Sequence, residues 1–130
     1  MAIIGVGIDI VSVPEFAEQL AQPGTMFAER FTVGERRDAK VGTGGDARHL
    51  AARWAAKEAL VKAWSVSRFA HSPLLPLIRH SDIEVVTDNW GRPALRLSGE
   101  IAEHLADTRL HVSLTHDGPT AAAVVIIEEG

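Results

Sequence analysis

The sequence predicts an α+β fold in which a mostly antiparallel sheet packs on one long helix. Three observations lead there. Residues 47–65 form the longest stretch rich in alanine and leucine, which are strong helix formers. Residues 3–11 and 110–115 alternate between two kinds of side chain, the period of a strand. Asp88-Asn89-Trp90-Gly91 and Asp117-Gly118-Pro119 supply turns between strand-like segments.

The first strand covers residues 2–11. Its even positions Ile4, Val6, Ile8 and Ile10 share one face, expected on the core; Gly5, Gly7 and Asp9 share the other. The glycines leave room for another segment or a ligand to approach Asp9. Pro14 suits the first turn of a short helix running to about residue 21, ended by Gln22-Pro23-Gly24. Thr32 and Glu35 fit a capping box for a helix over about 34–40. Val41–Gly45 reads as a linker, because no Gly-Lys-Ser/Thr follows to make a phosphate loop. Asp46 is placed to cap the long helix. On that helix Ala51, Trp54, Ala55, Glu58 and Lys62 fall in one sector, so a carboxylate and an ammonium share a face with small residues. That face is expected to pack closely against something. Residues 66–81, with Pro73 and Pro76, read as an extended loop on which His71 and His80 are surface residues. A hairpin over 82–87 and 93–97 follows. Ser98 is then expected to cap a helix through about Ala106. His111, Ser113 and Thr115 form the polar face of the next strand, and the apolar run Ala121–Ile127 reads as a central strand.

Composition narrows the function. A chain of 130 residues, 46% hydrophobic and 23% charged, fits one domain over residues 1–130. A net charge of −4 and the absence of any basic stripe argue against a nucleic-acid partner. No apolar run spans a bilayer, and no basic region precedes the first apolar run, so a membrane partner is not expected and a cytoplasmic location is. With no cysteine, neither a disulfide framework nor a thiolate metal site exists. Asp9 and Glu58 are hard oxygen ligands from distant segments, and Lys62 lies one helical turn beyond Glu58. If the first strand crosses the long helix, the three suit a magnesium-bound diphosphate.

The chain resembles the holo-[acyl-carrier-protein] synthase family, the small bacterial 4′-phosphopantetheinyl transferases, in its mycobacterium-type branch. The resemblance rests on Gly5–Ile10, Phe27-Ala28-Glu29-Arg30-Phe31-Thr32, Arg53-Trp54-Ala55-Ala56-Lys57-Glu58-Ala59 with Lys62, and His111–His116. It implies the phosphopantetheinyl transferase fold. It also implies transfer of the phosphopantetheine arm of coenzyme A to a serine of apo acyl carrier protein, in fatty acid biosynthesis. By the same resemblance Asp9 and Glu58 hold Mg2+ and act with Lys62 in catalysis. Arg53 and His111 meet the nucleotide-end phosphates. Gly91, Arg92 and Pro93 form the turn at the adenine, and Thr115 is a polar position beside His111. Ser65 opens the Ser65-Val66-Ser67 segment that stands where relatives carry a Gly-Thr-Gly phosphate cradle. A homotrimer with active sites shared between chains is implied as well, His111 coming from the neighbour or sitting near the boundary. The carrier-contact arginine of many relatives is missing from Val11–Phe16; Arg30, Arg36, Arg37 or Arg48 are the candidates to replace its charge. A hydrolase acting on a diphosphate through the same residues, or a coenzyme A-binding module without activity, are the competing readings.

Overall fold

The computed structural model describes residues 2–24, 26–41 and 46–130. The expected linker glycines, and the side chain of Asp46, lie outside the described residues. In chain order the elements are β1 (Ile3–Ser12), α1 (Val13–Ala21), α2 (Val33–Val41), α3 (Asp46–Ser67), β2 (Ile83–Thr87), β3 (Pro93–Leu97), α4 (Gly99–His104), β4 (Thr108–Asp117) and β5 (Thr120–Glu129). Short 3-10 turns occupy Phe27–Arg30 and His80–Asp82. β1, β5 and β4 form an antiparallel sheet in that order, and β2 and β3 pair as a separate antiparallel ribbon. The α+β expectation and the central place of β5 both hold.

The face of β1 is the reverse of the expected one. Ile4, Val6, Ile8 and Ile10 point outward and are exposed, Ile10 by 68%. The glycine face is the buried one. A Cβ on Gly5 would strike the Ala63 carbonyl, and one on Gly7 would strike that of Ala59, so α3 lies directly on the strand's backbone. Only glycine permits that approach. Periodicity tells which residues share a face, not which face is covered; here the covering helix selects the face with no side chains. Asp9 therefore points toward α3, and its strand partner is Ala123.

α3 carries small residues on several sides. Ala51, Ala55, Ala56, Ala59, Leu60 and Ala63 are fully buried, which lets the sheet and the β2–β3 ribbon both pack on it. Phe16, Phe27, Phe31 and Trp54 form a second, aromatic cluster under α1, with ring centroids 4.9 to 6.2 Å apart among the contacting pairs. The capping box forms as expected: the Glu35 amide donates to Thr32 Oγ1 at 3.1 Å and the Thr32 amide to Glu35 Oε1 at 2.9 Å. Ser12 also caps α1, accepting from the Glu15 amide. Ser98 departs from expectation. Its side chain makes no capping bond; the hydroxyl turns instead to Asp82 Oδ1 at 3.3 Å, and α4 stops at His104.

Candidate active site

β1 and α3 bring Asp9 and Glu58 together. Both line one cleft of about 300 Å³, with Ser12, Glu15, Phe16, Gln19 and Trp54 among its walls. Lys62 joins them: its Nζ donates to Asp9 Oδ1 at 2.9 Å and to the Ile8 carbonyl at 3.1 Å. The spacing explains this. Glu58 and Lys62 are one turn apart on the helix face that lies over the glycine face of β1. Among the described residues, Oδ2 of Asp9 and Oε2 of Glu58 accept no hydrogen bond. Glu58 Oε1 has His80 Nε2 at 3.2 Å, an approach too oblique for a good hydrogen bond.

His80 is the residue that sequence reasoning missed. Expected on a loop surface, it is largely covered instead. Its ring lies 4.6 Å from that of Trp54, tilted by 38°. Burial pushes its pKa below the ordinary 6.5; the Glu58 carboxylate acts in the opposite direction, while Arg30 and Lys57 add to the lowering. The imidazole is accordingly neutral at pH 7. A histidine in an aperiodic, proline-containing segment gave no signal of this placement.

A second, larger cavity of about 640 Å³ opens on the other flank of α3. Arg53, Gly91, Pro93 and Thr115, four of the residues expected at coenzyme A, line it together with Asp38, His49, Thr87 and His116. Arg53 is only 7% exposed, and its buried Nε has no hydrogen-bond partner among the described residues. A buried guanidinium with a vacant donor suits an anion. Arg53 faces this cavity and Trp54 faces the smaller cleft, so consecutive residues of α3 bound the two spaces. Arg92 is held by its own turn: Asp88 Oδ2 accepts from its Nε at 2.6 Å, and its guanidinium lies 5.1 Å from the Trp90 ring. The Arg92 backbone amide, donating to Asp88 Oδ1 at 2.9 Å, and then the Arg92 side chain hold the Asp88 carboxyl below the usual range.

Two expected residues lie elsewhere. Ser65 lines a separate pocket of about 230 Å³ beneath residues 68–78, with Val61, Trp64 and Arg68. His111 sits on the outer face of β4, opposite the α3 side, where its Nε2 is 3.2 Å from Glu128 Oε1. Within one chain it is not part of the Asp9 cleft.

The donor set fits a magnesium ion. Two carboxylates with uncommitted oxygens in one cleft leave further positions for water and phosphate oxygens, which magnesium prefers. Among the described residues no cluster of three or more histidine, cysteine or acidic side chains forms a cage, as a softer or fully protein-bound metal would require.

Comparisons with known proteins find relatives over nearly the whole chain. A family model described as the 4′-phosphopantetheinyl transferase superfamily matches residues 5–125. A holo-[acyl-carrier-protein] synthase of Mycobacterium sp. (strain KMS) is 68% identical over 129 residues, 99% of each chain. A solved acyl carrier protein synthase of Mycobacterium tuberculosis superposes with a TM-score of 0.83 at 60% identity, covering 99% of this chain and 100% of that one. A synthase solved as a coenzyme A complex, described as from Chronobacterium ammoniagenes, gives a TM-score of 0.90 at 43% identity, covering 100% and 99%.

Proposed function

The chain belongs to the 4′-phosphopantetheinyl transferase superfamily, and from that premise we propose how it works. It transfers the 4′-phosphopantetheine group of coenzyme A to a serine of apo acyl carrier protein, in fatty acid biosynthesis. Holo carrier protein and adenosine 3′,5′-bisphosphate are the products. The observation that carries the mechanism is the cleft where Asp9 and Glu58 meet, with the Lys62 ammonium 2.9 Å from Asp9.

The larger cavity takes the nucleotide end of coenzyme A. Arg53 supplies the buried cation there, and the Gly91–Pro93 turn and Thr115 complete the wall. The diphosphate then lies over the smaller cleft. The carrier serine oxygen attacks the phosphorus that bears the pantetheine arm. A phosphorus–oxygen bond to serine forms, the phosphoanhydride bond breaks, and the electron pair departs with the 5′-phosphate of the nucleotide. Lys62 stabilises the charge that develops on that leaving phosphate. Asp9 and Glu58 are the carboxylates in place to receive the serine proton. Bound by those same two residues, magnesium would offset the diphosphate charge and polarise its oxygens.

The working unit is a single transferase domain over residues 1–130, assembled as a homotrimer with shared active sites in the cytoplasm. Support for the assembly comes from the outer sheet face. Ile4, Val6, Ile8 and Ile10 are exposed beside the half-buried Val124 and Ile126. His111 belongs to that same face and reaches a neighbour's site rather than its own. Among the described residues no helix is long and apolar enough to cross a membrane. Of the four candidate carrier contacts, Arg30 lies with its guanidinium 4.9 Å from the Phe27 ring and 5.7 Å from the ring of Trp54, which lines the cleft.

One incubation tests the reaction. Apo carrier protein, coenzyme A and Mg2+ should yield carrier protein heavier by one phosphopantetheine in intact-mass measurement. Cleavage of coenzyme A with no gain in carrier mass would instead mark a hydrolase.

A further inference from the structure

Behind the cleft lies a charged pair that the mechanism above does not use. Glu35 and Lys57 are both fully buried, with Nζ 2.8 Å from Oε1. Burial pulls the Lys57 pKa down, and the Glu35 carboxylate pulls it back up. Every ammonium proton is spoken for: Lys57 donates to Glu35 Oε1, to the His80 carbonyl at 2.9 Å and to the Ile83 carbonyl. Glu35 also accepts from the amides of Thr32 and Val85, both at 2.9 Å. Three chain segments thus meet at one ion pair: the start of α2, the middle of α3, and the 80–85 segment.

Stability alone is a weak reason for such a pair. A buried ion pair can often be replaced by neutral groups of similar volume without loss. Its location offers another reason. Lys57 immediately precedes Glu58, and the carbonyl it holds belongs to His80. The His80 ring packs on Trp54, and its Nε2 stands 3.2 Å from Glu58 Oε1. We infer that the Glu35–Lys57 pair is a positioning device: it locks the 80–85 segment to α3, so that the His80 ring, packed on Trp54, limits the swing of the Glu58 carboxylate by contact rather than by a hydrogen bond. Neither member touches substrate.

This inference rests on the reading of Glu58 as a metal ligand, so the test separates the two. Mn2+ is titrated into protein held in excess over coenzyme A, with no carrier present, and free ion is read by electron paramagnetic resonance. Glu58→Gln is the reference variant. The double variant Lys57→Met with Glu35→Gln removes both charges and leaves no unpaired buried ion. It is expected to melt near the wild-type temperature yet bind Mn2+ about 10-fold more weakly. Its kcat should fall by a similar factor while KM for coenzyme A stays put, since the nucleotide cavity is untouched. The single variant Glu35→Gln keeps the Lys57 bonds to both carbonyls. It leaves the buried ammonium without its counter-charge and should melt below the double variant, so His80→Ala, which leaves the pair whole, is the further arm and should show a similar loss of Mn2+ affinity. Wild-type Mn2+ affinity and kcat in a folded double variant or in His80→Ala would overturn the positioning role and leave the metal reading intact. Unchanged Mn2+ affinity in Glu58→Gln would overturn both.

Discussion

Asp9 keeps its ammonium partner at 2.9 Å, and that pairing shapes what its loss would do. On the proposed mechanism Asp9→Ala removes a metal ligand and frees Lys62 at once, and Glu58→Ala removes the other ligand. Each is expected to cut kcat/KM by about 100-fold or more with a melting temperature close to wild type. Lys62→Ala should lower kcat by a comparable factor while KM for coenzyme A moves little, as expected of a group that acts on the leaving phosphate. Steady-state kinetics over a Mg2+ series would separate the two effects. Glu84 makes a different prediction. The Thr32 hydroxyl, donating to Glu84 Oε2 at 2.5 Å, is the largest cause holding its carboxyl below the ordinary 4.5, and Arg96 adds to it. A carboxyl with a depressed folded pKa gives stability that is complete above its unfolded value and is lost as pH falls through the folded one. Melting temperature should therefore fall below about pH 4.5, and Glu84→Gln should flatten that slope. The meeting of the three proposed reacting groups was partly legible in the sequence: helical spacing puts Glu58 and Lys62 on one face, and Asp9 shares a strand face with Gly5 and Gly7. His80 was not. Its place depends on a carbonyl held by Lys57 across 23 residues, and no local pattern records that bond.

Between β1 and α3 the contact is backbone on backbone. The helix carbonyls of Ala59 and Ala63 rest where Gly7 and Gly5 have no side chain. Asp9 and Glu58 thus take their separation from the two most tightly apposed elements. Gly7→Ala is expected to destabilise the fold by about 1–3 kcal/mol through overpacking. It should also weaken Mg2+ dependence more than nucleotide binding, because the nucleotide cavity draws on other elements; chemical denaturation and a Mg2+ titration would read the two. Element boundaries were largely visible beforehand. The α2 capping box, the α1 proline and the Asp88 turn each carry a local chemical signature. The orientation of β1 was not visible, because four aliphatic residues on one face suggest a core until the helix that covers the other face is known. The Ser98 cap failed for a related reason: its hydroxyl has a partner in Asp82, which a local pattern does not contain.

For the molecule as a whole, the uncovered sheet face is the feature that a single chain leaves unresolved. Ile4, Val6, Ile8 and Ile10 present a continuous aliphatic stripe to solvent. Replacing Val6 and Ile8 with aspartate should leave each chain folded, since neither side chain is buried within it. Sedimentation should then report a smaller species, and turnover should collapse with it. In the proposed trimer His111 would lie on the covered side, while Asp9 faces the helix on the other side of the same sheet. Their separation has a consequence for heredity as well as for chemistry. A strain carrying one gene copy with Asp9→Ala and another with His111→Ala would make two kinds of defective polypeptide. Mixed rings would still contain junctions built from the sound half of each, roughly a quarter of all junctions if assortment is random. Two silent alleles would then complement one another, and reconstitution from separately purified, inactive proteins would recover activity that neither possesses alone.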